Sequence, residues 1–240
     1  MGYGADSRPP LRSQPVRMSP PAHRRRRTGS KSSRPGGPRW GRLTRMTTTV
    51  LTMPSEAPSY GAVRLRAFDE RDVDMLRELS TDPYVPRTGS LPANAGHADA
   101  VAYIERQLAR PGSGAGLPFC VAATDTDEAI GTAGLNCGPL AAGRATAGYA
   151  VAPRHRGRGL AGQALVALTR FAWSVPGLHR VELYIEPWNR ASWRTAELAG
   201  YTREGLLRSH QEIGGRRVDM YLYAAIAEDG RDGGSAPSAG

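Results

Sequence analysis

The chain has 240 residues, a formal net charge of +10 and two cysteines. This length suffices for one ordinary domain with tails, and two cysteines exclude a disulfide framework. No segment approaches the ~18 continuous apolar residues of a membrane-spanning helix. We therefore expect a cytoplasmic protein with one folded domain and no membrane partner.

The positive charge is confined to the first predicted segment, residues 1–58. Residues 1–52 carry twelve Lys or Arg against one acid and sum to +11, so the rest of the chain sums to −1. Nine prolines and almost no apolar periodicity predict that residues 1–58 are a disordered basic arm. Two interpretations of this arm stay open. Either the true start is Met46 or Met53, or the arm binds RNA or the ribosome.

The first half of the predicted domain contains strands and helices of ordinary length. Alternating apolar residues predict a strand at 63–67, and apolar residues at helical spacing predict two helices after it. The helices are predicted at 70–80, with Asp69 as N-cap, and at 97–110. Three strands of a meander are then predicted at 117–123, 129–137 and 145–151.

The second half is predicted to alternate helices and strands and to close with a hairpin. Its elements are a helix at 159–173, a strand at 180–186, a helix at 189–198 and strands at 202–213 and 216–226. Asn189 is the predicted N-cap of the second helix, Gly200 ends it, and Gly214-Gly215 indicates a two-residue hairpin. Residues 228–240, rich in Gly, Ser and Asp, are predicted to be a disordered tail. This order fits one mixed α/β layer with helices on both sides.

Three glycines stand where the first helix of this half is predicted to begin. Gly157, Gly159 and Gly162 spell G-x-G-x-x-G, and Glu182 follows twenty residues later, as in a dinucleotide-binding unit. However, five residues separate the predicted strand from the first glycine, and the remaining chain is too short for the second half of such a domain. A P-loop is excluded because no Lys-Ser or Lys-Thr pair follows the glycines.

The same stretch also reads R-x-x-G-x-A from Arg156 to Ala161, and N-x-x-S…E-x-x-G-Y runs from Asn189 to Tyr201. With both motifs in this order, residues 62–227 resemble the GNAT superfamily of acetyl-coenzyme A-dependent N-acetyltransferases, in particular its RimJ/RimL-type branch. The resemblance implies a single GNAT-type α/β domain with a mixed, mostly antiparallel sheet and helices on both faces, which we assign to residues 59–227. It also implies acetyl-coenzyme A as co-substrate and no metal.

The resemblance implies where coenzyme A binds. Its diphosphate lies over the bend and the helix start, which correspond here to Arg156, Gly157, Arg158, Gly159, Leu160, Ala161 and Gly162. Backbone amides, the helix dipole and the lack of side chains at the glycines suit an anion there. Its pantetheine lies along Tyr149, Ala150 and Val151, where this strand separates from the strand at 180–186. The Val151 N–H is our candidate for polarising the thioester carbonyl.

The sequence departs from the family at both acid–base positions. Ala196 stands where many members have the tyrosine that protonates the departing thiolate, so we predict that Ser192 takes this role. The alternative for Ser192 is only to bond backbone in the first helical turn. Glu182 is predicted as the base, acting through water, against the alternative of an exposed strand residue paired with an arginine. Asn189 and Ser192 are also predicted to contact the cofactor, and Asn189 to cap its helix.

The sequence therefore predicts an N-acetyltransferase that acts on a primary amine. The favoured acceptor is a protein N-terminal α-amine, as on a ribosomal protein, because the resemblance points to that branch. A small amine, such as an antibiotic or a polyamine, is the alternative, since substrate loops differ freely on one fold. An alternative of another class is an RNA- or ribosome-binding protein that acts through the basic arm. A nucleic acid is not otherwise expected, and monomer and homodimer both stay open.

Overall fold

A computed structural model describes residues 50–227, so residues 1–49 of the arm predicted over 1–58, and the tail predicted over 228–240, lie outside the described residues. The strands are β1 (Ser59–Tyr60), β2 (Val63–Arg66), β3 (Gly116–Ala123), β4 (Ala129–Asn136), β5 (Arg144–Val151), β6 (Arg180–Ile185), β7 (Thr202–Ile213) and β8 (Arg216–Ile226). Within this part of the chain they form one sheet in the order β1-β2-β3-β4-β5-β6-β8-β7. Neighbours pair antiparallel except β5 and β6, which are parallel. The predicted mixed, mostly antiparallel sheet is confirmed.

Helices cover both faces of the sheet, as predicted. They are α1 (Val73–Leu79), α2 (Val85–Thr88), α3 (His97–Ala109), α4 (Leu160–Ala172) and α5 (Arg190–Leu198). Successive strand residues face opposite sides, so two apolar cores form. One core joins Leu165 of α4 to Leu183 of β6, and the other joins Leu76 of α1 to Ile104 of α3. No helix in residues 50–227 is long and apolar enough to cross a membrane.

The helix starts differ in how their first amides are satisfied. Asp69 forms a capping box with Asp72 ahead of α1, and the Asn189 side chain accepts a hydrogen bond from the Ser192 amide at 3.1 Å ahead of α5. These two predicted caps are confirmed. By contrast, α4 begins after Gly159, which offers no side chain to cap it. The first amides of α4 are therefore left for another acceptor.

Strands β5 and β6 are paired only at their beginnings. The three paired positions are Arg144 with Arg180, Ala145 with Val181, and Thr146 with Glu182. Beyond them β5 continues to Val151 and β6 to Ile185 without pairing to each other. The gap between β5 and β6 implied by the family resemblance is therefore present.

The folded part begins earlier than the boundary predicted at residue 59. Leu51 is 8% exposed and belongs to the core that contains α4, and its amide donates a hydrogen bond of 3.0 Å to the Pro111 carbonyl. Met53 packs against the same core. The prediction of disorder is therefore wrong for residues 51–58, because two apolar side chains within a proline-rich stretch have a buried surface to occupy.

Candidate active site

A glycine-rich bend follows β5 and leads into α4. A 3-10 turn (Pro153–His155) comes first, and Gly157 and Gly159 then adopt φ values of +76° and +72°. Side chains rarely adopt this left-handed conformation, so the backbone requires glycine at both positions. A Cβ added at Gly157, Gly159 or Gly162 would meet nothing within 4 Å. The space in front of all three glycines is therefore open.

The amides of the bend point to no acceptor in the described part of the chain. The backbone bond that begins α4 runs from the Gln163 amide to the Gly159 carbonyl at 3.2 Å. Among residues 50–227, no backbone or side-chain acceptor is paired with the amides of residues 157–162. Unpaired amides at the positive end of a helix dipole attract an anion, and open space at the glycines lets it approach closely. The bend therefore suits a diphosphate.

The three arginines of the bend do not act together. Arg154 is bound to Glu78, which accepts from its backbone amide at 2.9 Å and also pairs with its guanidinium. Glu128 approaches the same guanidinium at 3.3 Å. Arg158 is exposed and forms no ion pair within residues 50–227. Arg158 is thus the arginine whose charge is available to a bound phosphate.

Arg156 braces the bend through its own hydrogen bonds, and its predicted contact with coenzyme A stays a prediction. Its Nε donates to the Val151 carbonyl at 2.9 Å, and its Nη1 lies 2.7 Å from Oδ2 of Asp82. Its own amide donates to the Pro153 carbonyl at 3.2 Å. Because both its guanidinium and its amide are engaged, Arg156 fixes the shape of the bend and links it to the segment that contains Asp82.

The backbone groups along β5 point alternately toward β4 and toward the gap. Pairs in the antiparallel β4–β5 ladder alternate between hydrogen-bonded and non-hydrogen-bonded. The Ala152 amide donates to Ile130 at 2.9 Å, so Ala150 is likewise turned toward Thr132 of β4. Tyr149 and Val151 then direct their backbone groups into the gap. This geometry leaves backbone groups of Tyr149 and Val151 for pantetheine, whereas those of Ala150 face β4; all three predicted contacts stay predictions.

Two hydroxyl groups meet on the α5 face of the gap. The Tyr149 hydroxyl lies 3.0 Å from Ser192 Oγ and donates to the Ser192 carbonyl at 3.1 Å. Burial raises the pKa of Tyr149, and hydrogen bonds with Ser192 and Thr195 oppose that rise. Ser192 thus does more than bond backbone in the first turn of α5. The sequence interpretation considered only the backbone of Tyr149, although a tyrosine on a strand facing α5 has its hydroxyl within reach of that helix.

Glu182 stands at the fork of β5 and β6 but is already fully engaged. It is 4% exposed, and its Oε1 pairs with Arg180 Nε at 2.7 Å and with Arg144 at 3.5 Å. The Tyr184 hydroxyl donates to Oε2 at 2.9 Å. Burial acts to raise the pKa of Glu182, but the hydrogen bonds from Arg180 and Tyr184 bring it below its usual value.

This environment argues against the predicted role of Glu182 as the base, because a carboxylate with a lowered pKa is a weak proton acceptor. Its arginine partner was foreseen, but its burial was not.

A second carboxylate, Glu186, was missed by the sequence analysis. It follows the end of β6, is 7% exposed, and forms no ion pair within residues 50–227. Burial raises the pKa of Tyr84, and the neighbouring Glu186 raises it further. Trp188 packs edge-on against Tyr84 with ring centroids 5.0 Å apart. No local motif marks this group, because Tyr84 and Glu186 are far apart in the chain.

Comparison with known proteins gives consistent matches over the same region. The family model of the acetyltransferase (GNAT) domain matches residues 62–202. An uncharacterized N-acetyltransferase, p20 of Bacillus licheniformis, is 28% identical over 165 residues, which are 69% of this chain and 93% of that protein.

Two solved structures share the fold. RimJ of Mycobacterium smegmatis in complex with CoA-disulfide is 25% identical, with a TM-score of 0.62 over 73% of this chain and 90% of that one. RimL, a ribosomal L7/L12 α-N-protein acetyltransferase in complex with coenzyme A, is 20% identical, with a TM-score of 0.62 over 71% of this chain and 98% of that one.

Proposed function

The chain belongs to the GNAT acetyltransferase family and is an acetyl-coenzyme A-dependent N-acetyltransferase, and we propose that its acceptor is a protein N-terminal α-amine. The likeness to RimJ and to RimL, an α-N-protein acetyltransferase, supports this acceptor. Chemistry supports it as well. A peptide α-amine has a pKa of ~7.7–8.0 and a lysine ~10.4, so near neutral pH far more of the α-amine is uncharged and nucleophilic.

The residues proposed to hold coenzyme A follow from the open amides and the gap. The amides of residues 157–162 bind the diphosphate, and Arg158 adds positive charge. The backbone groups of Tyr149 and the N–H of Val151 pair with the arm of the cofactor as a guest strand would, since the Val151 carbonyl already accepts from Arg156. In this arrangement the Val151 N–H donates to the thioester oxygen and stabilises the negative charge that develops there.

The proposed reaction requires little acid–base catalysis by the protein. The neutral amine attacks the thioester carbon, the carbon–sulfur bond breaks with its electron pair on sulfur, and the thiolate takes a proton. A thiol of pKa ~8.5 is a good leaving group, so positioning contributes much of the rate. Ser192, hydrogen-bonded to Tyr149, is the proposed proton donor.

The proposed coenzyme A site rests on one observation, the unpaired amides beside the open glycines. The Gly159→Glu substitution tests it, because the new carboxylate would occupy the proposed diphosphate position. Gly177→Glu is a matched control, since Gly177 has φ +79° against +72° at Gly159 and also has nothing within 4 Å of an added Cβ. Both variants carry the same backbone strain of ~1–2 kcal/mol.

Titration calorimetry with coenzyme A then separates strain from blockage. We expect Gly159→Glu to abolish measurable binding and Gly177→Glu to retain wild-type affinity. Equal affinity in the two variants would refute the site.

The acceptor is tested by acetyl-coenzyme A consumption with the full-length protein. Unblocked peptides are compared with the same peptides carrying a blocked α-amine, and with polyamines and aminoglycosides. We expect turnover with unblocked peptides alone. Turnover confined to polyamines or aminoglycosides would replace the α-amine proposal with the small-amine alternative.

A further inference from the structure

Strand β6 presents different side chains to its two faces. Val181, Leu183 and Ile185 pack into the core that contains α4, so Glu182 and Tyr184 face the opposite side. Glu186 continues this alternation directly after the strand ends. The last pair between β5 and β6 is at Glu182, so the part of β6 that leads to Glu186 is not paired with β5. Continued alternation directs Glu186 away from the core that contains α4.

Glu182 and Glu186 are both buried, yet they differ in charge compensation. Glu182 is paired with Arg180 and Arg144, whereas Glu186 has no Lys, Arg or His within ion-pair distance in the described residues. A positively charged group that reached Glu186 would therefore gain an electrostatic interaction that the protein itself leaves unmet.

Two aromatic rings border this carboxylate. Tyr84 lies beside Glu186, and Trp188 contacts Tyr84 and is 60% exposed. Tyr84 is held in place because its amide and that of Val85 donate to the Asp82 carboxylate at 2.7 and 2.9 Å. Aromatic faces attract amine cations, so rings beside a carboxylate suit an ammonium group.

The nearby positive charge does not occupy this position. Arg87 acts to lower the pKa of Tyr84, whereas Glu186 acts to raise it, so both side chains lie near Tyr84. Its guanidinium, however, is packed against Gly214 in the turn between β7 and β8. Arg87 thus lies in the neighbourhood of Glu186, but the two side chains do not form an ion pair.

The two faces of the gap then carry complementary groups. Tyr149 and Ser192 lie against α5, whereas the alternation along β6 directs Glu186 to the other side. A thioester held in the gap would have hydroxyl groups on one side and a carboxylate on the other. An amine arriving from the Glu186 side would meet the carbonyl carbon from the face away from the hydroxyl groups.

We propose that Glu186 binds the acceptor's amine nitrogen and accepts its proton, with Tyr84 and Trp188 forming the wall of the acceptor pocket. This assignment rests on the acetyl transfer proposed above. The nitrogen forms a bond to the thioester carbon and gives up one proton to a Glu186 oxygen. The carbon–sulfur bond breaks, sulfur takes a proton on the Ser192 side, and Glu186 later releases its proton to water.

The test compares Glu186→Gln, which keeps the size of the side chain and removes its charge, with Glu105→Gln on α3. Glu105 is exposed and forms no ion pair within residues 50–227, so this control removes one charge elsewhere. The acceptor is an unblocked alanyl peptide, with spermidine as a second acceptor. The measurements are kcat/KM across pH, coenzyme A affinity and thermal unfolding of the full-length protein.

We expect Glu186→Gln to lower kcat/KM for the amine by about 100-fold near neutral pH, as the loss of a proton acceptor does. The deficit should shrink above the amine's own pKa of ~7.7–8.0, where water has already removed the proton. Coenzyme A affinity should stay within about twofold of wild type, since the diphosphate contacts are untouched. Glu105→Gln should match wild type in every measurement.

An unchanged kcat/KM in Glu186→Gln would overturn the inference, and so would a deficit that is the same at every pH. If the wild-type protein failed to bind coenzyme A at all, the cofactor site itself would be wrong. That outcome is distinguishable because it appears in the calorimetry before any acceptor is added.

Discussion

The region proposed to bind coenzyme A offers backbone amides, whereas the region proposed to bind the acceptor amine offers side chains. The amides belong to one continuous stretch that runs from Tyr149 to Gly162. The side chains come from two distant parts of the chain, Tyr84 on one and Glu186 with Trp188 on the other. A site built from backbone amides depends on local conformation, and a side chain in front of the amides would block it. A side-chain site depends on packing between elements, so single changes there alter specificity before they alter cofactor binding.

The largest effect is expected at Gly162, where one substitution should lower the affinity for coenzyme A without lowering the stability of the fold. This residue lies in the first turn of α4 without positive φ, and an added Cβ meets nothing within 4 Å. In Gly162→Glu the helix gains up to ~1 kcal/mol in propensity, and the new carboxylate favours the helix N-terminus. It also occupies the proposed diphosphate position.

Coenzyme A affinity of Gly162→Glu should therefore fall by at least about 100-fold, because charge-assisted hydrogen bonds of ~1.5–3 kcal/mol each are lost. Thermal unfolding should occur at or above the wild-type temperature. Gly162→Ala is the control for stability alone. A Gly162→Glu protein that binds coenzyme A normally would mean that the backbone side of the comparison is misplaced.

A smaller effect is expected from the hydroxyl pair on the α5 face. Tyr149→Phe and Ser192→Ala should each lower kcat by about tenfold, less than the ~100-fold or more that general acid–base catalysis typically contributes, and leave coenzyme A affinity unchanged. Because the two hydroxyl groups share one contact of 3.0 Å, the double variant should lose little more than either single one. Strictly multiplicative losses would show that Tyr149 and Ser192 act independently.

Glu182 should differ from Glu186 by affecting stability more than catalysis. Its pKa is lowered in the folded protein, so its contribution to stability is present above its unfolded pKa of ~4.3 and is lost as the pH falls through the lower folded value. Glu182→Gln should cost ~1–3 kcal/mol of unfolding free energy at pH 7, discounted for the partly exposed Arg144. The unfolding curves of variant and wild type should therefore differ at pH 7 and approach each other at pH 3. A constant difference at both pH values would contradict this.

The smallest effect on activity is expected from shortening the N-terminus, since both sides of the gap lie within residues 50–227. Beginning the protein at Met46 should leave kcat/KM unchanged. Beginning it at Met53 removes the buried Leu51 and should cost ~1.5–3 kcal/mol of stability. An RNA- or ribosome-binding function that resides in the arm would instead appear as a salt-dependent association lost from both shortened proteins.

How much of each region could be predicted from the sequence depends on whether local conformation or tertiary packing forms it. Gly157 and Gly159 are encoded locally, because a left-handed backbone requires glycine, and the caps at Asp69 and Asn189 are local as well. The orientation of Arg156 was not predictable, because it depends on Asp82, which arrives through tertiary packing.

The burial of Glu182 depended in the same way on strand pairing and on the side chains that flank it. Tyr84 and Glu186 carry no shared motif, so only the fold brings them together. Leu51 was assigned to a disordered arm because the composition of its surroundings outweighed one apolar residue.

The most direct test of the cofactor site is a crystal structure of this protein grown with coenzyme A. We predict that the diphosphate contacts the amides of residues 157–162 and that pantetheine lies between β5 and β6, hydrogen-bonded to Tyr149 and Val151. A diphosphate bound at another surface, or β5 and β6 paired along their full length with no cofactor between them, would contradict the account.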